Sequence, residues 1–217
     1  MNKKSKYVTY NYSSLDESII NDIICYNDEN IDNILDFFDL DSVSGVNVYI
    51  KTKNDFDEIV KSIRKNDLEV PKWMVGLSDY NGNIYCVSLN DYKNTSHSIV
   101  LSNYDNALLE YKKMIIHEIV HHVNIEFCNK MNYPTPPKYL SEGIAQVLSN
   151  QKEKLKNVFN YSLEDILHSD NCYNGWYLLT KYILNNYSKE YYLSLFKNNE
   201  YANTEIKRII DAMKNND

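Results

Sequence analysis

His117 and His121, in His117-Glu118-Ile119-Val120-His121, stand four residues apart. That spacing places two side chains on one face of a helix and lets two imidazoles meet one metal ion. Two nitrogen donors are half of a hydrolytic zinc site, which takes a third protein ligand and keeps a fourth position open for water. The chain offers the third ligand in Glu142, within Tyr139-Leu140-Ser141-Glu142-Gly143-Ile144-Ala145, after 20 intervening residues. Glu118 follows the first imidazole directly, so it points about a hundred degrees around the helix and can reach zinc-bound water. Zinc brings the pKa of that water toward about 7, and a carboxylate beside it can take the proton and pass it to a leaving amine. The expected centre is one Zn2+ per chain held by His117, His121 and Glu142, with Glu118 as general base. His122 lies off the two-histidine face and is expected to support the site or lie at the surface.

These residues need two buried helices to carry them. From residue 106 onward the apolar period is helical, and the segment 106–127 holds Met114-Ile115-Ile116 and Ile119-Val120, an apolar face that can bury the helix with its histidines toward a cleft. A loop with Pro134, Pro136 and Pro137 ends it, and Thr135-Pro136 reads as N-cap and first position of the helix bearing Glu142. Ser162-Leu163-Glu164-Asp165 resembles a capping box, and helices are expected over 173–186, 189–197 and 204–213. Upstream, 7–12 reads as a strand, and 15–38 as one long helix or two with a break near Asn27-Asp28. The residues 46–50 alternate like a strand, and 55–65 is an amphipathic helix with Phe56, Ile59, Val60 and Ile63 inward. Two more strands, 73–77 and 84–89, flank Asp79-Tyr80-Asn81-Gly82-Asn83, whose Asn-Gly is a turn signal, and Ile99-Val100-Leu101 reads as a further short strand.

Composition narrows the partners. The 217 residues are 43% apolar, enough for a substantial core, and 23 Lys and Arg against 30 Asp and Glu give a net charge of −7. That balance offers no general attraction to nucleic acid or an anionic membrane. Lys3, Lys4 and Lys6 precede Tyr7-Val8-Thr9-Tyr10, where a signal peptide would need about 7–15 unbroken apolar residues. No segment approaches the roughly 18 apolar residues of a membrane span, so a cytoplasmic protein is expected. Cys25, Cys86, Cys128 and Cys172 are too scattered for structural zinc and read as buried thiols in a reducing compartment.

His117-Glu118-Ile119-Val120-His121 followed by Leu140-Ser141-Glu142-Gly143-Ile144-Ala145 resembles the gluzincins, zinc peptidases whose third ligand is a glutamate on the helix after the motif. The segments 46–50, Trp73-Met74-Val75-Gly76 and 84–89 look like the N-terminal sheet of that family. Cys172-Tyr173-Asn174-Gly175-Trp176 looks like the start of its later helix, which carries a transition-state tyrosine in aminopeptidase-type members. Three positions depart from the pattern. Gln146 stands where thermolysin-type members place an aspartate behind a ligand histidine, no Gly-x-Met-Glu-Asn-like segment precedes the motif, and Cys172 occupies the usual place of the tyrosine, with Tyr173 one residue later. Aminopeptidase activity is therefore disfavoured. The longer metzincin signature fails, because Asn124 and Phe127 stand where it needs Gly and His.

The resemblance implies an α+β fold: a small mixed sheet in an N-terminal subdomain (1–105), packed on a helical subdomain (106–217), with zinc in the cleft between. It implies a zinc metallopeptidase acting on a peptide or protein substrate, with no nucleic-acid or membrane partner. An extended substrate is expected to pair with an edge strand around 84–89, contacting Ile84, Tyr85, Cys86 and Val87. The oxyanion donor is expected to be Tyr173, with Tyr177 or His168 as substitutes, and His97 and His168 are candidates to replace either a ligand or that donor. Two other readings keep the zinc: a peptide-binding or regulatory module without turnover, and a cytosolic protease that cleaves one regulatory partner.

Overall fold

The computed structural model of the chain describes residues 1–79, 81–97, 104–151 and 160–215. Its first strands are β1 (Asn2–Lys4) and β2 (Val8–Asn11), paired antiparallel. β1 escapes a reading by pattern because it is polar and carries no apolar alternation. Ser13 caps a short turn at Ser14–Asp16, and helix α1 follows as Ile20–Phe37. Of the two expectations for this region the unbroken helix holds. The buried Asn27 amide donates to the Tyr10 hydroxyl at 2.8 Å, so a polar residue in mid-helix bonds to the sheet and does not end the helix.

Strand β3 (Val46–Lys51) buries every second residue, as its alternation demands. Helix α2 (Lys53–Arg64) starts at Thr52, whose side chain accepts from the Asp55 N–H at 3.2 Å. Phe56 and Val60 point inward, but Ile63, expected inward as well, is exposed one residue from the helix end. Then come β4 (Gly76–Ser78) and β5 (Asn83–Val87), joined by a turn in which Asp79 Oδ1 accepts from the N–H groups of Asn81 and Asn83.

The sheet is mixed, in the order β1-β2-β3-β5-β4. β2, β3 and β5 run parallel, while β4 pairs antiparallel with β5 in the register Gly76 to Cys86, Leu77 to Tyr85 and Ser78 to Ile84. This corrects the expected edge. β5 has strands on both sides and its Ile84, Cys86 and Val87 are buried, so neither its main chain nor those side chains are open to a substrate strand. Among the described residues the short, half-buried β4 holds the edge position instead.

Helix α3 (Tyr104–Met131) is central. Ala107, Tyr111, Ile115, Ile116, Ile119, Val120, Val123 and Phe127 are all buried, more than one face can supply, because the sheet and α1 lie against one side and a following helix against another. That helix, α4 (Lys138–Leu148), begins at Lys138 with Pro137 in the capping place and no side-chain cap. The expected start at Thr135-Pro136 fails because a residue that precedes a proline is driven out of helical geometry, and Pro136 precedes Pro137. The remaining helices are α5 (Leu163–His168), opened by the expected capping box with Asp165 reaching back to Ser162, α6 (Tyr173–Asn186), α7 (Lys189–Ser194) and α8 (Asn199–Asn215). The residues 99–101 lie outside the described residues. The architecture is thus α+β, with one buried cluster running from Val8 to Met213. No helix is long and apolar enough to cross a membrane among the described residues. All four cysteines are free; Cys86, Cys128 and Cys172 are buried, whereas Cys25 is exposed, contrary to expectation.

Candidate metal centre

One turn of α3 brings His117 Nε2 and His121 Nε2 to 3.1 Å of each other. From α4, Glu142 places Oε2 3.3 Å from His117 Nε2 and Oε1 3.7 Å from His121 Nε2. The side chains are 12–17% exposed, and their ligand atoms all lie within 4.8 Å of one another. Tetrahedral bonds of about 2.0–2.1 Å would separate ligand atoms by roughly 3.3 Å, so the three converge at the spacing one small cation requires. Glu142 Oε2 is moreover buried with no hydrogen bond among the described residues. A buried carboxylate oxygen that faces imidazole nitrogens without a well-formed hydrogen bond is a place that a cation held between them would satisfy. The residues fit a metal ion.

The electrostatics divide two neighbouring carboxylates. Burial pushes Glu142 up, but contacts with His117 and His121, and their positive charge, outweigh it and hold the carboxyl far below the usual range. Burial likewise raises Glu118, and there it prevails. The charges of His117 and His121 and the Ser78 N–H favour the carboxylate only in part, and Glu142 opposes it. His121 is lowered by burial and raised by the Glu142 contact and the charges of Glu142 and Glu118, ending above its ordinary value.

Glu118 is outside the three-residue ligand group. It lies under the edge strand, its carboxylate accepting from the main chain at Ser78. Gly76 makes this approach possible: a Cβ there would sit 2.7 Å from Met114 Sδ and 2.9 Å from Glu118 Oε1. Gly143 does the same on the other side, since a Cβ would lie 2.2 Å from Thr180 Oγ1 and 2.8 Å from the Trp176 carbonyl oxygen of α6. Gln146 ties the same two helices, its Nε2 donating to the carbonyls of Glu142 at 3.2 Å and Tyr173 at 3.0 Å.

Tyr173, the first residue of α6, is half-buried with its ring edge-on to Trp176. Burial, then the charges of Glu142 and Glu118, push its hydroxyl up to about 12, so it keeps its proton and remains a donor. Tyr177 is buried under Lys181. His168 is two-thirds exposed on α5 beside Glu164, a surface place that separates it from the buried ligands. His97 Nε2 engages the Trp73 carbonyl at 3.0 Å. His122 is buried, with Nε2 3.2 Å from the Ser44 carbonyl and 3.4 Å from Glu126, and so anchors the loop before β3 to α3. Of the four residues expected to meet substrate, only Tyr85 is not buried, and it stacks on Tyr49 with ring centroids 5.3 Å apart.

Residue-by-residue reading overlooked Gly76, Ser78, Asn124 and Ser141. Ser141 Oγ lies 3.0 Å from His121 Nδ1, and Asn124 donates to the same oxygen at 3.4 Å. Two signals pointed to them: a glycine in an apolar strand of a chain with only 5 glycines, and a hydroxyl directly before Glu142. Comparison of the chain with protein-family models, with curated proteins and with solved structures finds no match in any of the three.

Proposed function

We propose that this protein is a zinc-dependent peptidase of the gluzincin type, binding one Zn2+ per chain through His117 Nε2, His121 Nε2 and Glu142. The observation that carries the reading is the pairing of a three-residue cluster with a second carboxylate, Glu118, which is half-buried beside it and is not a member of it. A site built only to hold a cation has no use for a carboxylate whose ionisation burial opposes.

When bound, zinc would supply Lewis acidity and a water of lowered pKa. Glu118 takes a proton from the attacking water and returns it to the leaving amine, a role suited to a carboxyl shifted toward neutrality. Tyr173 donates its hydroxyl to the oxygen that gains charge as the scissile carbonyl becomes tetrahedral. β4, the edge strand among the described residues, would supply main-chain pairing for an extended substrate, in the place first assigned to β5. Unpaired thiols fit a reducing, cytoplasmic setting.

The test is zinc titration of the wild-type protein and Glu118→Gln, followed by incubation of each zinc-loaded protein with a mixture of unstructured peptides. Both should bind zinc, and only the wild type should produce fragments, with a loss of about 10²–10⁴-fold in the variant. Equal cleavage would remove Glu118 from the chemistry. Zinc binding without cleavage by either would favour the binding-module or single-substrate reading.

A further inference from the structure

The two imidazoles are supported unequally. His117 Nδ1 is buried with no hydrogen-bond partner among the described residues, whereas His121 Nδ1 is 3.0 Å from Ser141 Oγ. That hydroxyl is itself held. Asn124, fully buried one turn after His121 on α3, donates its amide nitrogen to Ser141 Oγ at 3.4 Å. Cys128, one turn further and also buried, lies with Sγ 3.7 Å from Asn124 Oδ1. Burial lifts the Cys128 thiol to about 11, so it keeps its proton and donates to the amide oxygen, which turns the amide nitrogen toward Ser141. Residues 121, 124 and 128 recur on one stripe of α3, and Ser141 meets that stripe from α4, directly before Glu142.

We infer that Ser141, held by Asn124, is a positioning residue that keeps His121 in the tautomer with its proton on Nδ1 and so presents the Nε2 lone pair to the metal. A neutral imidazole carries one proton, and whichever nitrogen donates it leaves the other free to ligate. A hydroxyl oxygen has two lone pairs, so Ser141 Oγ accepts from His121 and from Asn124 together. The arrangement also couples the ligands, because the helix that delivers Glu142 orients His121 through the adjacent residue. His117 has no such acceptor among the described residues, which makes Ser141 the point where orientation enters the centre.

This inference rests on the metal-centre reading above, and the test separates the two. Zinc affinity is measured by calorimetric titration for wild type, Ser141→Ala, Ser141→Thr and Asn124→Ser, with the melting of each metal-free protein recorded alongside. Loss of a group that orients a ligand costs about 10–100-fold in metal affinity, so Ser141→Ala should bind zinc that much more weakly, alongside a lowered melting of the metal-free protein from the Asn124 amide left unpaired. Ser141→Thr, which keeps the hydroxyl, should recover most of the loss, and Asn124→Ser, which leaves Ser141 in place but unheld, should fall between. Long-range 1H–15N spectra of the zinc-loaded wild type should show His121 with a protonated Nδ1, a signature that packing alone would not set. Wild-type affinity in Ser141→Ala, or a zinc-loaded His121 without the Nδ1 proton, overturns the inference. Failure of the wild type to bind zinc overturns the metal reading itself.

Discussion

The two sides of α3 treat their carboxylates in opposite ways. Toward α4, Glu142 meets two imidazoles on a helix seam closed by Gly143, Thr180 and Gln146, and its charged form is strongly favoured. Toward β4, Glu118 meets one main-chain donor and an apolar strand, and its charged form is opposed by burial. A ligand must stay ionised and fixed, while a proton shuttle needs both protonation states within reach. The difference comes from what packs against the helix, since both groups are glutamates, one on α3 and one brought to it by α4.

Exchanging each carboxylate for its amide breaks the comparison most directly. Glu142→Gln should lower zinc affinity by more than the roughly 10–100-fold that removal of a supporting group costs. Zinc at about a hundred times its dissociation constant stabilises a folded protein by about 2.7 kcal/mol, so thermal melting with and without zinc should show this gain in the wild type and in Glu118→Gln but not in Glu142→Gln at the same concentration. An equal zinc-induced rise in all three would deny Glu142 its place. Next in size is Tyr173→Phe, which removes one donor and should lower kcat by about 10²–10³ with zinc affinity unchanged. A kcat equal to wild type would move the donor elsewhere, with Tyr177 the next residue to replace.

Gly143→Ala tests the α4 side. The added methyl meets a carbonyl oxygen and a packed threonine of α6, neither of which is the far end of a long side chain, so the helices must separate. Overpacking of this kind costs about 1–3 kcal/mol, only partly offset by the better helix propensity of alanine at about 1 kcal/mol. Chemical denaturation should show the loss, and zinc affinity should fall with it because Glu142 is carried on the displaced helix. A stability above that of wild type would show that the seam has room.

The helices and the cluster of His117, His121 and Glu142 were legible because their signals are local. His117 and His121 share a face by spacing, Ser162 and Asp165 cap by proximity, and 46–51 alternates. Strand order was not, because it depends on pairings between distant segments. β5 carries the more apolar run and looked like the strand to expose, yet its apolar residues are the reason it sits inside the sheet, while the three half-buried residues of β4 carry no alternation to read. The start of α4 was misplaced by weighing Thr135-Pro136 without the proline that follows. Ser141 and Asn124 are 17 residues apart and each looks unremarkable alone; their role exists only where two helices cross.

The β4 side of the comparison has its own glycine, and the expected outcome there is different in kind. At Gly76 an added methyl would lie 2.7 Å from Met114 Sδ and 2.9 Å from Glu118 Oε1, both the far ends of side chains that can shift. Alanine also removes the conformational penalty that glycine carries in a strand, about 0.5–1 kcal/mol, so Gly76→Ala should leave stability within about 1 kcal/mol of wild type. Zinc affinity should not change, because no ligand touches the strand at this point. Restoring ordinary contact moves the Glu118 carboxylate by about half an ångström, and misplacement costs on the order of 10²-fold per ångström, so kcat should fall about tenfold. Gly143→Ala would thus act on stability and metal binding, and Gly76→Ala on turnover alone. Measured kcat equal to wild type would mean that Met114 absorbs the methyl and that the close approach of β4 does not position Glu118. A parallel loss of zinc binding would mean that the two sides of α3 are not separable, and the contrast between the two carboxylates would lose its structural basis.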